Sequence, residues 1–504
     1  MLTPAKKTWL RLRAEDNVAL ALAPLAPGDV VEGVTVREAI PLGHKVALSA
    51  IPEGGAVLKY ANLIAVAKAP IEAGTHVHVH NAGMPAEDQG RGAVKGGLAQ
   101  LPEAEDRTFL GIRRPGCQVA TRNYVGILTT VNCSATAARA IAARFQDLSR
   151  WPGVDGVAPL THTFGCAMSP DSEGIRTLRR TLAGYANHPN FAGVLVIGLG
   201  CESNELSALL DEVGGESERV RAFDIQSTGG TAATISEGMR QVEALLELAS
   251  ANAAREPLPL SHLKLGLQCG GSDSFSGLSA NPALGAAADL LVAHGGTAIL
   301  SETPEIYGAE HLLLARASSD GVARKLEERV AWWRDHVAAH GATLNDNPSA
   351  GNIAGGITTI LEKSLGAVAK AGASPLTGVF GYAEAVDTAG LVFMDSPGYD
   401  PVSVTGQVAS GANLIAFTTG RGSTFGCKPV PSMKLATNSD LYRRMADDID
   451  VNCGDIVEGT ANIADKGGEI FEAIIAMASG EPTASERWGF GDAEFAPWVP
   501  GAIT

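Results

Sequence analysis

The 504-residue sequence contains no Cys-x-x-Cys pair, no dense run of basic residues and no apolar stretch long enough to span a bilayer. Each absence removes a class of function. With 39 Lys and Arg against 55 Asp and Glu the formal charge is −16, and a strongly acidic surface repels phosphate backbones, so no nucleic-acid partner is expected. The most apolar segment, Phe191 to Gly200, is half of the roughly 20 residues a membrane helix needs, which predicts a buried strand and no membrane partner. Met1 to Lys7 is not followed by the apolar core of a secretory signal, so a cytoplasmic location is expected. Seven scattered cysteines, an odd number in a chain of this size, read as reduced thiols or metal ligands. The phosphate loop G-x-x-x-x-G-K-[ST] is missing, and Gly198-Leu199-Gly200 lacks the third glycine of a dinucleotide fingerprint. There is no G-x-S-x-G elbow for a serine hydrolase.

What is present is globular: 45% hydrophobic and 19% charged residues, in a length that implies two or three domains. Residues 1–85 alternate short apolar segments, Asn17–Ala23, Val30–Ala39, Lys45–Ser49 and His76–His80, with turns, which predicts a small all-β domain. Residues 86–105, through Gln89-Gly90-Arg91-Gly92, have the composition of a linker. From 106 to 255, strands at Tyr124–Val131, Gly156–Leu160 and Val194–Leu199 alternate with helices at Ala135–Phe145, Ile175–Ala186 and Glu205–Glu212. That pattern predicts a doubly wound α/β domain. A second linker-like stretch covers 250–260, and residues 256–504 repeat the style with more glycine. The fold class is therefore α/β: a small β domain followed by two α/β domains with largely parallel sheets.

Four features carry chemistry. In His76-Val77-His78-Val79-His80 a strand would point all three imidazoles to one side, and two of them, His78 and His80, would share a metal ion. The plain alternative is a polar strand face in solvent. Asn81 follows, placed to orient an imidazole or bind a hydroxyl. The pair His44-Lys45 offers a general base and a carboxylate-binding cation. Cys133, Cys166, Cys201 and Cys269 each come just after a predicted strand, where they could converge at a sheet edge as ligands of a soft metal or an iron–sulfur cluster; buried filler is the competing explanation. Finally, Thr418-Thr419-Gly420-Arg421-Gly422-Ser423 suits a carboxylate and several hydroxyls, with Arg421 as the clamp and Gly422 letting the backbone approach.

These segments, with Lys59-Tyr60, Arg122-Asn123-Tyr124, Gly198-Leu199-Gly200-Cys201-Glu202, Glu362-Lys363-Ser364-Leu365-Gly366 and Met394-Asp395-Ser396-Pro397, resemble the altronate/galactarate dehydratase family over nearly the whole chain. Sulfolactate sulfo-lyase is similar to that family. The resemblance implies a β-clip (SAF) amino-terminal domain and a metal-dependent hydro-lyase that converts a sugar acid to a 2-keto-3-deoxy acid. Sulfite elimination from a sulfo-acid is the alternative. It also implies Fe²⁺, with Mn²⁺ as an option, and substrate contacts from Asn81, Arg122, Asn123, Asp395, Arg421 and Gly422. Two ligand sets compete, His78 with His80 for mononuclear iron, and Cys133, Cys166 and Cys201 for an iron–sulfur cluster. The base is an imidazole or Lys45. A homodimer is expected as the commonest assembly.

Overall fold

The computed structural model describes residues 7–86 and 106–501; most of the expected linker, 87–105, lies outside them. The amino-terminal unit is all β. An antiparallel sheet runs in the order Trp9–Leu10, Val18–Ala21, Lys45–Ala47, His76–Val77, and a second in the order Ala56–Lys59, Asn62–Ala67, Ala82–Gly83. The hairpin Ala56–Lys59/Asn62–Ala67 closes through Tyr60 and Ala61, both at positive φ (61° and 57°). This is a two-residue turn that glycine and asparagine usually occupy; here the Asp16 carboxylate holds it, accepting from the Ala61 amide at 2.7 Å.

The next unit contains a four-stranded parallel sheet ordered Gly156–Leu160, Tyr124–Thr129, Phe191–Gly198, Val220–Asp224. Every residue of Phe191–Gly198 is buried, as a strand covered on both faces requires. The stretch expected to be a linker at 250–260 is largely structured. Arg255–Pro259 is a strand, antiparallel to Thr108–Arg113. Its two prolines are tolerated because, among the described residues, it is an edge strand with no partner on its far side.

The carboxyl-terminal unit is built on a seven-stranded parallel sheet: Leu376–Phe380, Gly390–Met394, Thr297–Leu300, Lys264–Cys269, Leu414–Thr419, Ser432–Ala436, Val451–Asn452. From Lys264–Cys269 the chain first builds outward on one side, then returns to add Leu414–Thr419 on the other. That change of direction makes a crevice beyond the carboxyl ends of these two central strands, where open α/β sheets bind ligands. Their loops are Gly270-Gly271-Ser272-Asp273 and Gly420-Arg421-Gly422.

The units share their interiors. Val18, Ile64 and Val77 of the β unit pack in one apolar cluster with Leu265, Leu365 and Val368. Leu128, Leu160 and Tyr185 pack with Val392, Ile415 and Phe417. Burial on this scale, at about 25 cal/mol per Å², fixes the β unit against the crevice. Among the described residues no helix is long and apolar enough to cross a membrane.

Candidate active site

Pairing of Lys45–Ala47 with His76–Val77 sets Lys45 opposite Val77 and Val46 opposite His76. One step further along the same register, His44 faces His78. The result is three imidazoles in contact: His44 Nδ1 lies 2.9 Å from His76 Nε2, and the His44 and His78 ring centres are 4.6 Å apart. One ring nitrogen from each of the three falls within 4.8 Å of the others, the span of ligands around a single ion. The ring of His78 is almost fully buried, and its Nδ1 has no hydrogen-bond partner among the described residues. A buried polar nitrogen left alone is costly, and a metal ion would satisfy it.

His80 stands apart from this set. The strand ends at Val77, and residues 78–81 form a turn in which Asn81 Oδ1 accepts from the His78 amide at 3.0 Å and Asn81 Nδ2 donates to the His76 carbonyl at 2.8 Å. The strict alternation expected for His76, His78 and His80 therefore fails after the second histidine. His80 is exposed at the rim, its ring 5.2 Å from that of His76, and Asn81 is used in the turn.

Burial drives all three clustered imidazoles toward the neutral form. Burial, with help from His44 and His80, pulls His76 down to about 4. Burial, then Lys45 and the neighbouring rings, pulls His78 to about 3, and burial lowers His44. Neutral imidazole is the metal-binding form. His44 Nε2 lies 3.3 Å from the Ala354 carbonyl, a contact that places the proton on Nε2, sets the ring plane and leaves Nδ1 as the acceptor facing His76 Nε2.

Neighbours on a strand diverge, and Lys45 leaves the imidazoles for an ion triad. Its Nζ donates to Glu362 Oε2 at 2.8 Å and to the Gly356 carbonyl at 2.6 Å, while Lys59 Nζ donates to Glu362 Oε1 at 2.8 Å. Burial alone would raise the Glu362 carboxyl, but the two ammonium groups outweigh it and hold it at about 2. Burial pulls Lys45 down to about 8 despite Glu362; Lys59 moves the other way, because Glu362 and Tyr60 outweigh its burial. Two cations on one carboxylate cannot both be fully compensated, and Lys45 is the one that yields. It is fully enclosed, so it is a positioning residue and not the base considered from sequence.

The crevice meets this rim by a continuous series of contacts. The Arg421 amide donates to the Gly271 carbonyl at 2.9 Å, Asn352 Nδ2 to the Ser272 carbonyl at 2.8 Å, and the Ser274 amide to the Gly355 carbonyl at 3.0 Å. Gly356, at φ 95°, lies against Gly43: a Cβ there would come within 2.1 Å of the Gly43 oxygen. Only glycine allows the two backbones so close. The exposed Arg421 side chain and the buried Asp273, which accepts from Thr437 and Ser276, thus stand on loops that these contacts join to the segment packed against Gly43. Gly422, at φ 106°, makes the turn that presents Arg421.

Three family models cover this chain almost end to end: the altronate/galactarate dehydratase SAF domain on residues 7–85, the D-galactarate dehydratase/altronate hydrolase second domain on 111–250, and the D-galactarate/altronate dehydratase carboxyl-terminal domain on 260–503. The chain is 39% identical to altronate dehydratase of Escherichia coli, over 96% of its own length and 97% of the relative. It belongs to the altronate/galactarate dehydratase family. Galactarate dehydratase (L-threo-forming) of E. coli is 34% identical over 98% of this chain and 97% of its own. The (2R)-sulfolactate sulfo-lyase subunit beta of Chromohalobacter salexigens is 33% identical over 77% of this chain and 96% of its own.

Three residues expected at the substrate are structural in this member of the family. Arg122 is buried and forks onto Glu486, at 2.6 and 2.9 Å, while donating to the carbonyls of Thr121, Met477 and Glu481. Asn123 donates to Gly153 and Ala249 and accepts from Arg114. Asp395 is buried and accepts from Thr303 and from Trp333 Nε1, with Arg329 3.7 Å away. Arg122 and Asn123 have their polar capacity consumed inside the protein, and Asp395 has one carboxylate oxygen so used, which residue type and neighbouring sequence do not reveal. A second buried donor group, Cys269, Glu302 and Glu305, lies at the carboxyl ends of strands Lys264–Cys269 and Thr297–Leu300. It is already engaged with cations: Lys363 donates to Glu305 at 2.7 Å, and Lys370 donates to Cys269 at 2.8 Å and lies 3.7 Å from Glu302.

Proposed function

We propose that this chain is a hydro-lyase that removes water from a sugar acid of the altronate or galactarate type, giving a 2-keto-3-deoxy acid, with Fe²⁺, or Mn²⁺ in its place, on His44, His76 and His78. The observation that carries the metal is the buried three-imidazole cluster with its unpartnered His78 nitrogen. The donor set fits, since imidazole suits divalent iron. Held there, such an ion would supply Lewis acidity worth several kcal/mol toward the enediolate.

The protein does the rest. Arg421, aimed from the glycine loop, receives the carboxylate as a fork. His80, the exposed imidazole of the set, takes the proton from C2 and returns it to the departing 3-hydroxyl, which leaves as water; the enol then becomes the 2-keto acid. The Lys45–Glu362–Lys59 triad locks the β unit on helix Ile360–Val368 and so holds the histidines over the crevice. Three exposed free thiols, Cys133, Cys166 and Cys201, suit a reducing compartment, which supports the cytoplasm as its place; a homodimer is the assembly we favour on symmetry grounds.

The test is turnover of altronate, galactarate, galactonate, threonate and sulfolactate by anaerobically purified, Fe²⁺-loaded protein, with and without a chelator. A chelator-sensitive 2-keto-3-deoxy product is expected, with His78→Ala losing the histidine-bound iron and at least about 10³-fold in rate. Full activity in His78→Ala would remove the histidine site from the mechanism. The likeness to the sulfo-lyase chain gives the second reading, elimination of sulfite with the same groups; sulfite released from sulfolactate, without keto acid from any sugar acid, would select it.

A further inference from the structure

The four-stranded parallel sheet has its own switch point, and three cysteines stand on it. Gly156–Leu160 and Phe191–Gly198 flank the first strand, Tyr124–Thr129, on opposite sides. Helix Ala135–Ala142, after the central strand, packs on one face with Thr231–Ala251. Helices Glu173–Ala186 and Leu206–Val213, after the flanking strands, pack together on the other. A crevice at the carboxyl ends follows from that divergence.

Register brings the thiols to it. Thr129 pairs with Ile197, and Cys133 and Cys201 each lie four residues beyond their paired residue. Leu128 pairs with Leu160, which leaves Cys166 six residues beyond. The loops are then stitched beside each cysteine. The Asn132 amide donates to the Phe164 carbonyl at 3.0 Å, the Asn204 amide to the Gly165 carbonyl at 2.9 Å, and Asn204 Nδ2 to the Thr130 carbonyl at 2.9 Å. Gly165, at φ 107°, is pressed on the first loop, where a Cβ would come within 2.3 Å of the Thr130 oxygen. Glu202 ties down the third loop by accepting from the amides of Gly200 and Cys201 at 2.7 and 2.9 Å.

The three sulfurs differ from the other described thiols. Cys133, Cys166 and Cys201 are exposed at this edge, whereas Cys269, Cys427 and Cys453 are buried. Gln226 Nε2 donates to Cys201 Sγ at 3.2 Å, the kind of amide bond that favours a thiolate or cluster sulfur. The set is not among the described donor groups that converge within 4.8 Å, so it is too open for one ion with bonds of about 2.3 Å. A cubane cluster holds its thiolates farther apart.

We propose that Cys133, Cys166 and Cys201 ligate a four-iron cluster whose fourth iron, lacking a thiolate, is open to an oxygen ligand. Anaerobically purified protein is expected to be brown and to hold about four acid-labile sulfides per chain. Cys201→Ser should lose colour and sulfide, while His78→Ala keeps both whatever its activity. As a check independent of any variant's folding, alkylation of wild-type protein should spare these three thiols until iron is stripped, and modify them afterwards. Absence of labile sulfide, sulfide retained when all three are serine, or thiols equally reactive before and after stripping would overturn the proposal.

Discussion

The two parallel sheets use their switch points differently. The four-stranded sheet carries its own donors, three cysteines on three successive loops, in a local arrangement that strand register alone sets up. The seven-stranded sheet offers glycines, Asp273 and Arg421 at its crevice and takes its imidazoles from a separate β unit. A site made within one sheet needs that sheet only. A site made between units depends on whatever holds them together, here a shared apolar cluster, one carboxylate between two lysines and a close glycine contact. The interdomain site should therefore be fragile at positions remote from any ligand, and the sheet-edge site should not.

Glu362→Gln breaks the comparison most sharply. It leaves Lys45 and Lys59 buried without a counter-charge, and removal of one partner from a buried ionic group costs about 3–5 kcal/mol. Denaturant unfolding should show that loss, with turnover gone even under conditions where the protein stays folded. A change below about 1 kcal/mol would mean the triad does not fasten the β unit. Gly356→Ala is next: its Cβ would push on the Gly43 oxygen beside His44. A displacement near 1 Å at a reacting centre costs about 10²-fold, so kcat/KM should drop by that order while the labile sulfide of the four-stranded unit is unchanged.

The difference between the regions also governs what could be read from sequence. Parallel strands of the middle unit announce themselves as apolar runs, and the glycines and cysteines after them mark the loops. The histidine motif was visible, but its geometry was not. The turn at 78–81 is closed by Asn81, and His44 joins only through the pairing of Lys45 with Val77. Lys59 and Glu362 are 303 residues apart, and nothing local to either indicates an ion pair. The hairpin at Tyr60-Ala61 was hidden because its turn has neither glycine nor asparagine. Arg122, Asn123 and Asp395 show the converse error: polar residues beside strand ends look like ligand groups, and only the tertiary structure reveals that their hydrogen bonds are already spent.

Arginine substitutions separate the two kinds of polar residue. Arg421→Lys keeps the charge and loses the fork, so KM for the sugar acid should rise about tenfold with kcat little changed, as expected for uniform binding. Arg122→Lys, which removes the fork onto Glu486, should lower the melting temperature and leave KM alone. The reverse pattern would restore Arg122 to the substrate site.

A pH dependence of stability in the metal-free protein separates the two regions in another way. His76 and His78 are held at about 4 and 3 in the folded state, against about 6.5 when unfolded. As pH falls through 6.5 the unfolded chain takes up protons that the folded rings refuse, so folding is weakened progressively from 6.5 down to the folded values. Glu362 acts lower on the scale: at about 2 when folded and about 4.3 unfolded, its contribution is complete above 4.3 and is lost as pH falls toward 2. The windows differ, so two variants divide them. Denaturant unfolding of chelator-treated protein at pH 7.5, 5.5 and 4.5 should fall less steeply in a His76→Ala/His78→Ala double variant than in wild type. Glu362→Gln should keep the wild-type slope there and flatten only below. Equal slopes in wild type and the double variant would show that the imidazoles are solvated and free to protonate, leaving the crevice without its buried ligand set.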